Sequence, residues 1–215
     1  MAVKKAIGAF REGKSSFRKK GITSTPSCSA LEFLSVPVSL FYAQLESNYR
    51  LYLETLFDDF LFTLTVYTVC RALLSITMQI PLVKWTEGLN IKTIVSISYV
   101  CYAVAAIGFA FSSSIFWLLS TAVLFTAAES MLLNHMQTFV SRLAPNHMRG
   151  GYFAFFGPHW DISRTIGPFL GGMIFIKFGG AALFLAIAGI MALGGIAQYR
   201  AVSRLKKLVL YSTWY

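Results

Sequence analysis

The sequence predicts an all-α membrane protein of six transmembrane helices, and three observations carry that prediction. The 215 residues are 56% hydrophobic and 13% charged, against about 45–50% and about 25% for an average soluble domain. Mean hydropathy is +0.61. Apolar runs of about 20 residues, the length that crosses a bilayer at about 1.5 Å per residue, recur along the chain. No alternating β pattern competes with them, and helices satisfy every backbone group within lipid. A soluble enzyme of ordinary surface chemistry is thereby excluded. An aromatic share of 15% excludes general disorder. Cys28, Cys70 and Cys101 form neither a disulfide framework nor a CxxC metal site.

Residues 1–29 are a basic arm. Seven of the 19 Lys and Arg lie in the first 20 positions, and no continuous apolar stretch marks a secretory signal. The arm reads as a cytoplasmic segment drawn to anionic headgroups, with a mitochondrial presequence as the alternative. The bundle occupies 30–205, with spans at about 30–53, 60–83, 91–111, 115–140, 152–176 and 181–199; a tail of 206–215 follows. Span one is the weakest, since it carries Glu32, Pro37, Gln44, Glu46 and Arg50. The breaks are Asp58-Asp59, Lys84 to Asn90, Ser112 to Ser114, Arg142 to Gly151 and Lys177 to Gly180.

Positive charge orients the chain, because cytoplasmic loops are enriched in Lys and Arg. With six spans both termini lie on one side. That side receives 15 of the 19 basic residues, and the other only Arg50 and Lys177. Both termini are therefore expected in the cytoplasm, in a multi-pass protein of the cell membrane.

Ionisable groups at bilayer depth are costly and face a bundle interior or a wet cavity. Spans one, two, four and five hold them; spans three and six do not, and are expected to be peripheral. On span four, Glu129, Asn134 and Gln137 fall on one polar stripe, and on span five Asp161 and Arg164 share a face with Gly157, Pro168, Gly171 and Gly172. Counted from the ends of their spans, Arg71, Glu129, Asp161 and Arg164 lie within roughly 6 Å of one another in depth. The functional reading is a proton- or substrate-responsive site; the plainer one is neutralised pairs that fix helix register. Asp161 and Arg164, three apart, are expected to meet directly as a mainly structural pair. Glu129 is the leading candidate for proton coupling, with Asp161 second. Gln44, Arg71, Asn134, Gln137 and Arg164 are the substrate-cavity candidates. Tyr67, Phe125, Tyr152, Phe153, Phe155, Phe156 and Trp160 suit an amphiphilic organic substrate. His159 and His135 are expected to be structural. No nucleotide-binding, hydrolase or metalloprotease motif is present, so neither an enzyme, nor a cofactor, nor a metal, nor a nucleic-acid partner is expected.

Four segments carry a family resemblance. They are Arg142-Leu-Ala-Pro-Asn-His-Met-Arg149-Gly150-Gly151-Tyr152, then Ile166-Gly167-Pro168-Phe-Leu-Gly171-Gly172, Gln79 to Trp85, and Tyr42 to Leu53. In order and spacing they resemble the major facilitator superfamily, most nearly its drug:proton antiporter-type members. The resemblance implies helices seven to twelve of a twelve-helix carrier, a half built as a 3+3 inverted repeat. It implies residues 1–29 as the link between halves, and proton-coupled efflux of a small molecule by alternating access. Two departures stand out. Trp85 and Thr86 replace the acidic-basic pair of the loop after the eighth helix, and Ser163 replaces the first glycine of the span-five pattern. The expected partners are the bilayer, the substrate, and an N-terminal half or a second copy. A six-helix channel, a non-transporting scaffold and a truncated inactive fragment are the alternatives. With one half of a carrier absent, this chain alone is expected not to transport.

The six-span topology has a direct test. In a chain whose own cysteines are replaced, new cysteines at Ser16 and Ser113 should label from opposite sides of the membrane.

Overall fold

The computed structural model describes residues 35–143 and 149–212, with the backbone alone at 143, 152, 155, 156 and 204–212. The basic arm with the first residues of span one (1–34), the Ala144 to Met148 loop and the end of the tail lie outside the described residues, as do the side chains of Tyr152, Phe155 and Phe156. The elements are α1 over 35–46, α2 Asn48–Leu56, α3 Phe60–Thr86, α4 Ile91–Ala110, α5 Ile115–Leu143, α6 Arg149–Phe156 and α7 Pro158–Ser212. Among the described residues there is no strand. Among the described residues, four helices are long and apolar enough to cross a membrane: α3, α4, α5 and α7. The last is two helices joined at a kink, where Gly179 takes φ 84°, a left-handed conformation that glycine adopts without penalty.

Two expected spans are each interrupted. Span one breaks at Ser47, whose hydroxyl donates to the Ala43 carbonyl at 2.6 Å while its backbone N–H bonds Gln44 O at 3.3 Å. This tighter turn separates α1 from α2. Span five breaks at Gly157, which precedes Pro158. Proline disfavours the helical conformation in the residue before it, so α6 stops and α7 begins at the proline.

The weakest span by hydropathy sits deepest. Val38, Phe41, Ala43, Leu45, Tyr49 and Leu53 are all buried. Phe41 is the hub, its ring meeting Tyr102, Phe109, Phe125 and Phe184 at 5.1–6.4 Å between centroids, edge to face. Such contacts each add about 0.5–1.5 kcal/mol beyond the area they bury. Tyr49 and Tyr52 extend the cluster, and the Tyr52 hydroxyl donates to Ala110 O at 2.8 Å, satisfying a carbonyl at the end of α4. α1 and α2 can carry polar residues because the surrounding helices, not lipid, are their solvent.

Lipid-side expectations hold in part. Val100, Ile107, Leu185 and Ile190 are exposed, while Ala103 is half-buried. The barest helix, however, is span two, which the polar inventory grouped with the interior. Of α3 only Thr63, Tyr67 and Thr86 are buried, and Leu61, Phe62, Leu73, Ile76 and Ile80 all stand open. The reason is packing: α3 lies mainly against α5 and offers that neighbour one edge. Its outward threonines are already satisfied. Thr65, Thr68 and Thr77 donate to the carbonyls four residues earlier at 2.7–2.8 Å, which suits an apolar surround.

Phe41→Ala should lower stability in mild detergent by about 3–5 kcal/mol, whereas Val100→Ala should change it by less than about 0.5 kcal/mol. Denaturation monitored by helicity distinguishes the two.

Candidate functional site

α1 and the start of α2 are clasped to the first segment of α7 by a polar ladder. Ser39 Oγ lies 2.7 Å from Ser163 Oγ and 3.2 Å from the His159 carbonyl. Gln44 Nε2 donates to Gly167 O at 2.7 Å, and Asn48 Nδ2 donates to Pro168 O at 3.1 Å and to Gln44 Oε1 at 2.6 Å. The glycines make this approach possible. A Cβ at Gly167 would come within 2.9 Å of Ala43 Cβ, and one at Gly171 would overlap the Gln44 amide. The GPxxGG stretch is thus a surface onto which α1 is locked, and Ser163, where the pattern has glycine, adds a rung.

This overturns one site expectation. Gln44 is buried with both halves of its amide engaged, so it holds helices together, and it is not among the residues lining the ion-pair cavity. Glu46, about 200° further round α1 at 100° per residue, emerges on the opposite side.

Glu46 corrects a second expectation. Arg164 does not pair with Asp161. Its Nε and Nη2 fork onto the two Glu46 carboxylate oxygens at 3.0 and 2.9 Å, the bidentate geometry that guanidinium favours. The pair is roughly half exposed. Asp161 is itself exposed and acts on Arg164 only at longer range. A planar guanidinium reaching across to another helix gains two parallel bonds that a helical neighbour three residues away does not offer here.

Arg71 and Glu129 do come together, as their depths imply. Arg71 Nη2 stands 3.6 Å from Glu129 Oε2, with side-chain exposures of 24% and 20%. That separation makes an ion pair without a well-formed hydrogen bond, and Glu129 Oε2 is buried with no hydrogen-bond partner among the described residues. Arg71 is held from its other side by aromatic faces, Phe125 at 4.9 Å and Tyr42 at 5.5 Å, a cation–π arrangement that strengthens as water is excluded. Beside the pair opens a cavity of about 260 Å³ lined by Glu46, Tyr49, Arg50, Tyr67, Arg71, Ser75 and Glu129, among others.

The remaining candidates stand apart from that cavity. Asn134 donates to Ser130 O at 2.8 Å and accepts from Gln79 Nε2 at 3.3 Å, joining α5 to α3. Gln137 is exposed beside a small pocket with His159 and Trp160. His135 bonds Thr86 Oγ1 at 2.7 Å and closes one end of the α3–α5 contact. Tyr67 and Phe125 reach the site, Phe153 is exposed, and Trp160 stacks edge-on to Tyr42 at 5.0 Å and lies under Arg164 at 5.8 Å. Residues missed by the sequence reading are Glu46, Arg50, Tyr42 and Ser75. Glu46 and Arg50 were visible as charges within a buried span; which face of α1 was taken up by α7 was not.

Long apolar helices around a half-buried ion pair and a polar cavity define an integral membrane protein. The chain belongs to the Major Facilitator Superfamily, whose family model matches residues 38–208. It is 47% identical over 180 residues to YhjO of Bacillus subtilis (strain 168), named as an uncharacterized MFS-type transporter; the match covers 84% of this chain and 45% of that one. It is 25% identical over 120 residues to the MFS-type transporter YdeE of Escherichia coli (strain K12), covering 55% and 30%. A 57-residue stretch is 44% identical to a Na(+), Li(+), K(+)/H(+) antiporter of Planococcus maritimus, covering 26% and 13%. The chain spans less than half the length of these relatives.

Double-mutant cycles should distinguish the Glu46–Arg164 pair from the merely nearby Asp161 and Arg164. Glu46→Gln combined with Arg164→Gln should reveal a coupling of about 0.2–1 kcal/mol, the modest range of exposed pairs. Asp161→Asn combined with Arg164→Gln should add to within about 0.5 kcal/mol. Detergent-unfolding midpoints of the three single and two double variants, against the unaltered chain, measure both.

Proposed function

We propose that this chain is the C-terminal six-helix half, built as a 3+3 inverted repeat, of a proton-coupled secondary transporter that exports small amphiphilic organic compounds by alternating access. The observation that carries the proposal is the loose, half-buried pairing of Arg71 with Glu129 at the wall of a polar cavity. Protonation of Glu129 removes its charge and its claim on Arg71. The aromatic faces of Phe125 and Tyr42 keep the guanidinium in place meanwhile, so the site changes charge without losing its frame. A deprotonated Glu129 re-forms the pair and resets the site. Arg164–Glu46, tighter and more exposed, takes the register role first given to Asp161–Arg164. Asp161 remains a second acid on the same face.

The bundle is proposed to rock against an N-terminal half, or a second copy, across the open faces of α3 and the first segment of α7, with the cargo between them. Both termini are assigned to the cytoplasmic side of the cell membrane on the distribution of Lys and Arg. The antiporter from Planococcus maritimus supports a second reading of the cargo, a monovalent cation exchanged for protons.

In vesicles holding the complete transporter, Glu129→Gln should abolish flux driven by a pH gradient while leaving folding and substrate binding within about twofold. Assays with an amphiphilic dye and with Na⁺ or K⁺ separate the two cargoes. Undiminished gradient-driven flux in the variant would remove Glu129 from the coupling role. The present chain alone should give no flux in proteoliposomes.

A further inference from the structure

A second concavity lies on the far side of the bundle, away from the ion pairs. It is a groove of about 500 Å³ between α4 and the second segment of α7. Val100, Val104 and Ile107 form one wall and Ile196 with Tyr199 the other; its floor is Ala103, Ala192 and Gly195. The small floor residues follow from close helix packing. A Cβ at Gly195 would fall 2.8 Å from Tyr99 Cβ, so no larger side chain fits between the helices there. The groove is therefore a consequence of how tightly α4 and α7 meet.

Its two ends differ. Along α4 the groove runs from Ser96 to Ile107, about 16 Å of helix, and its walls are apolar. That length is close to one leaflet of a hydrocarbon core about 30 Å thick. At the Ser96 end stand two cations. Arg200 lines the groove, and Lys92 reaches over the Tyr199 ring with its ammonium 5.9 Å from the centroid. The neighbouring sequence adds Lys84, Arg204, Lys206 and Lys207, against one acid, Glu87.

From this match of length and charge we infer that the groove binds one anionic phospholipid. An acyl chain lies along Val100, Ala103, Ile107 and Ala192, and the phosphate sits between Lys92 and Arg200. A basic cluster at the end of an interhelical groove is the arrangement expected to select anionic headgroups. The inference is independent of the transported cargo, since no residue of the ion-pair cavity takes part.

Native mass spectrometry of the purified full-length chain, with equimolar dioleoylphosphatidylglycerol and dioleoylphosphatidylcholine, tests it. The expected result is one retained phosphatidylglycerol in preference to phosphatidylcholine. Lys92→Ala or Arg200→Ala should weaken that retention about fivefold, and the double variant about twenty-five-fold, as two headgroup contacts near a membrane surface imply. Ala192→Trp, which fills the groove from its exposed floor, should abolish retention of either lipid. Lys92→Ala and Arg200→Ala change only surface cations and keep the test decisive should Ala192→Trp fail to fold. Equal retention of both lipids by the unaltered chain, no loss in the double variant, or a dimer that replaces bound lipid and disappears in Ala192→Trp would each overturn the assignment.

Discussion

The clasp between α1 and the glycine face of α7 is the constraint on which the remainder of the bundle rests. Ser39, Gln44 and Asn48 can bond Ser163, Gly167 and Pro168 only because side chains are absent where the helices meet. Once α1 is drawn in, Phe41 lies at the crossing of α4, α5 and α7, and the aromatic cluster has a centre. The rotation of α1 is then fixed, and with it the positions of Tyr42 against Arg71 and of Glu46 against Arg164. Packing, polar bonding and the charged site share one geometric cause.

The two ion pairs show how one chemistry serves two ends. Both join an arginine to a glutamate on a neighbouring helix. The exposed pair is short and forked, and solvent weakens it. The enclosed pair is long, lacks a hydrogen bond at Glu129 Oε2, and is braced by rings that carry no titratable charge of their own at neutral pH.

Much of this was legible in the sequence, and the exceptions have physical reasons. Apolar run length located α3, α4 and α5, and helical arithmetic put Arg71 and Glu129 at one depth. The glycine pattern marked a close helix contact. What periodicity could not resolve was which partner a long side chain would choose: Arg164 had Asp161 in its own helix and Glu46 across an interface, and sequence proximity favoured the wrong one. Gln44 was misassigned for a related reason, since an amide in a buried span can face a cavity or bond a neighbour's backbone. The bareness of α3 was hidden because its charges lie on the one edge that touches α5.

The clasp also bears on how the chain is made. Gln44 waits for a backbone carbonyl 123 positions later. At about 5–20 residues per second, that is a delay of roughly 6–25 s during synthesis. Throughout it, the Gln44 Nε2 donor lacks its acceptor on α7, although the Gln44 and Asn48 amides can already bond each other. Topology thus postpones the closing of the clasp until Gly167 has been made, and a chain that ends before it lacks that bond.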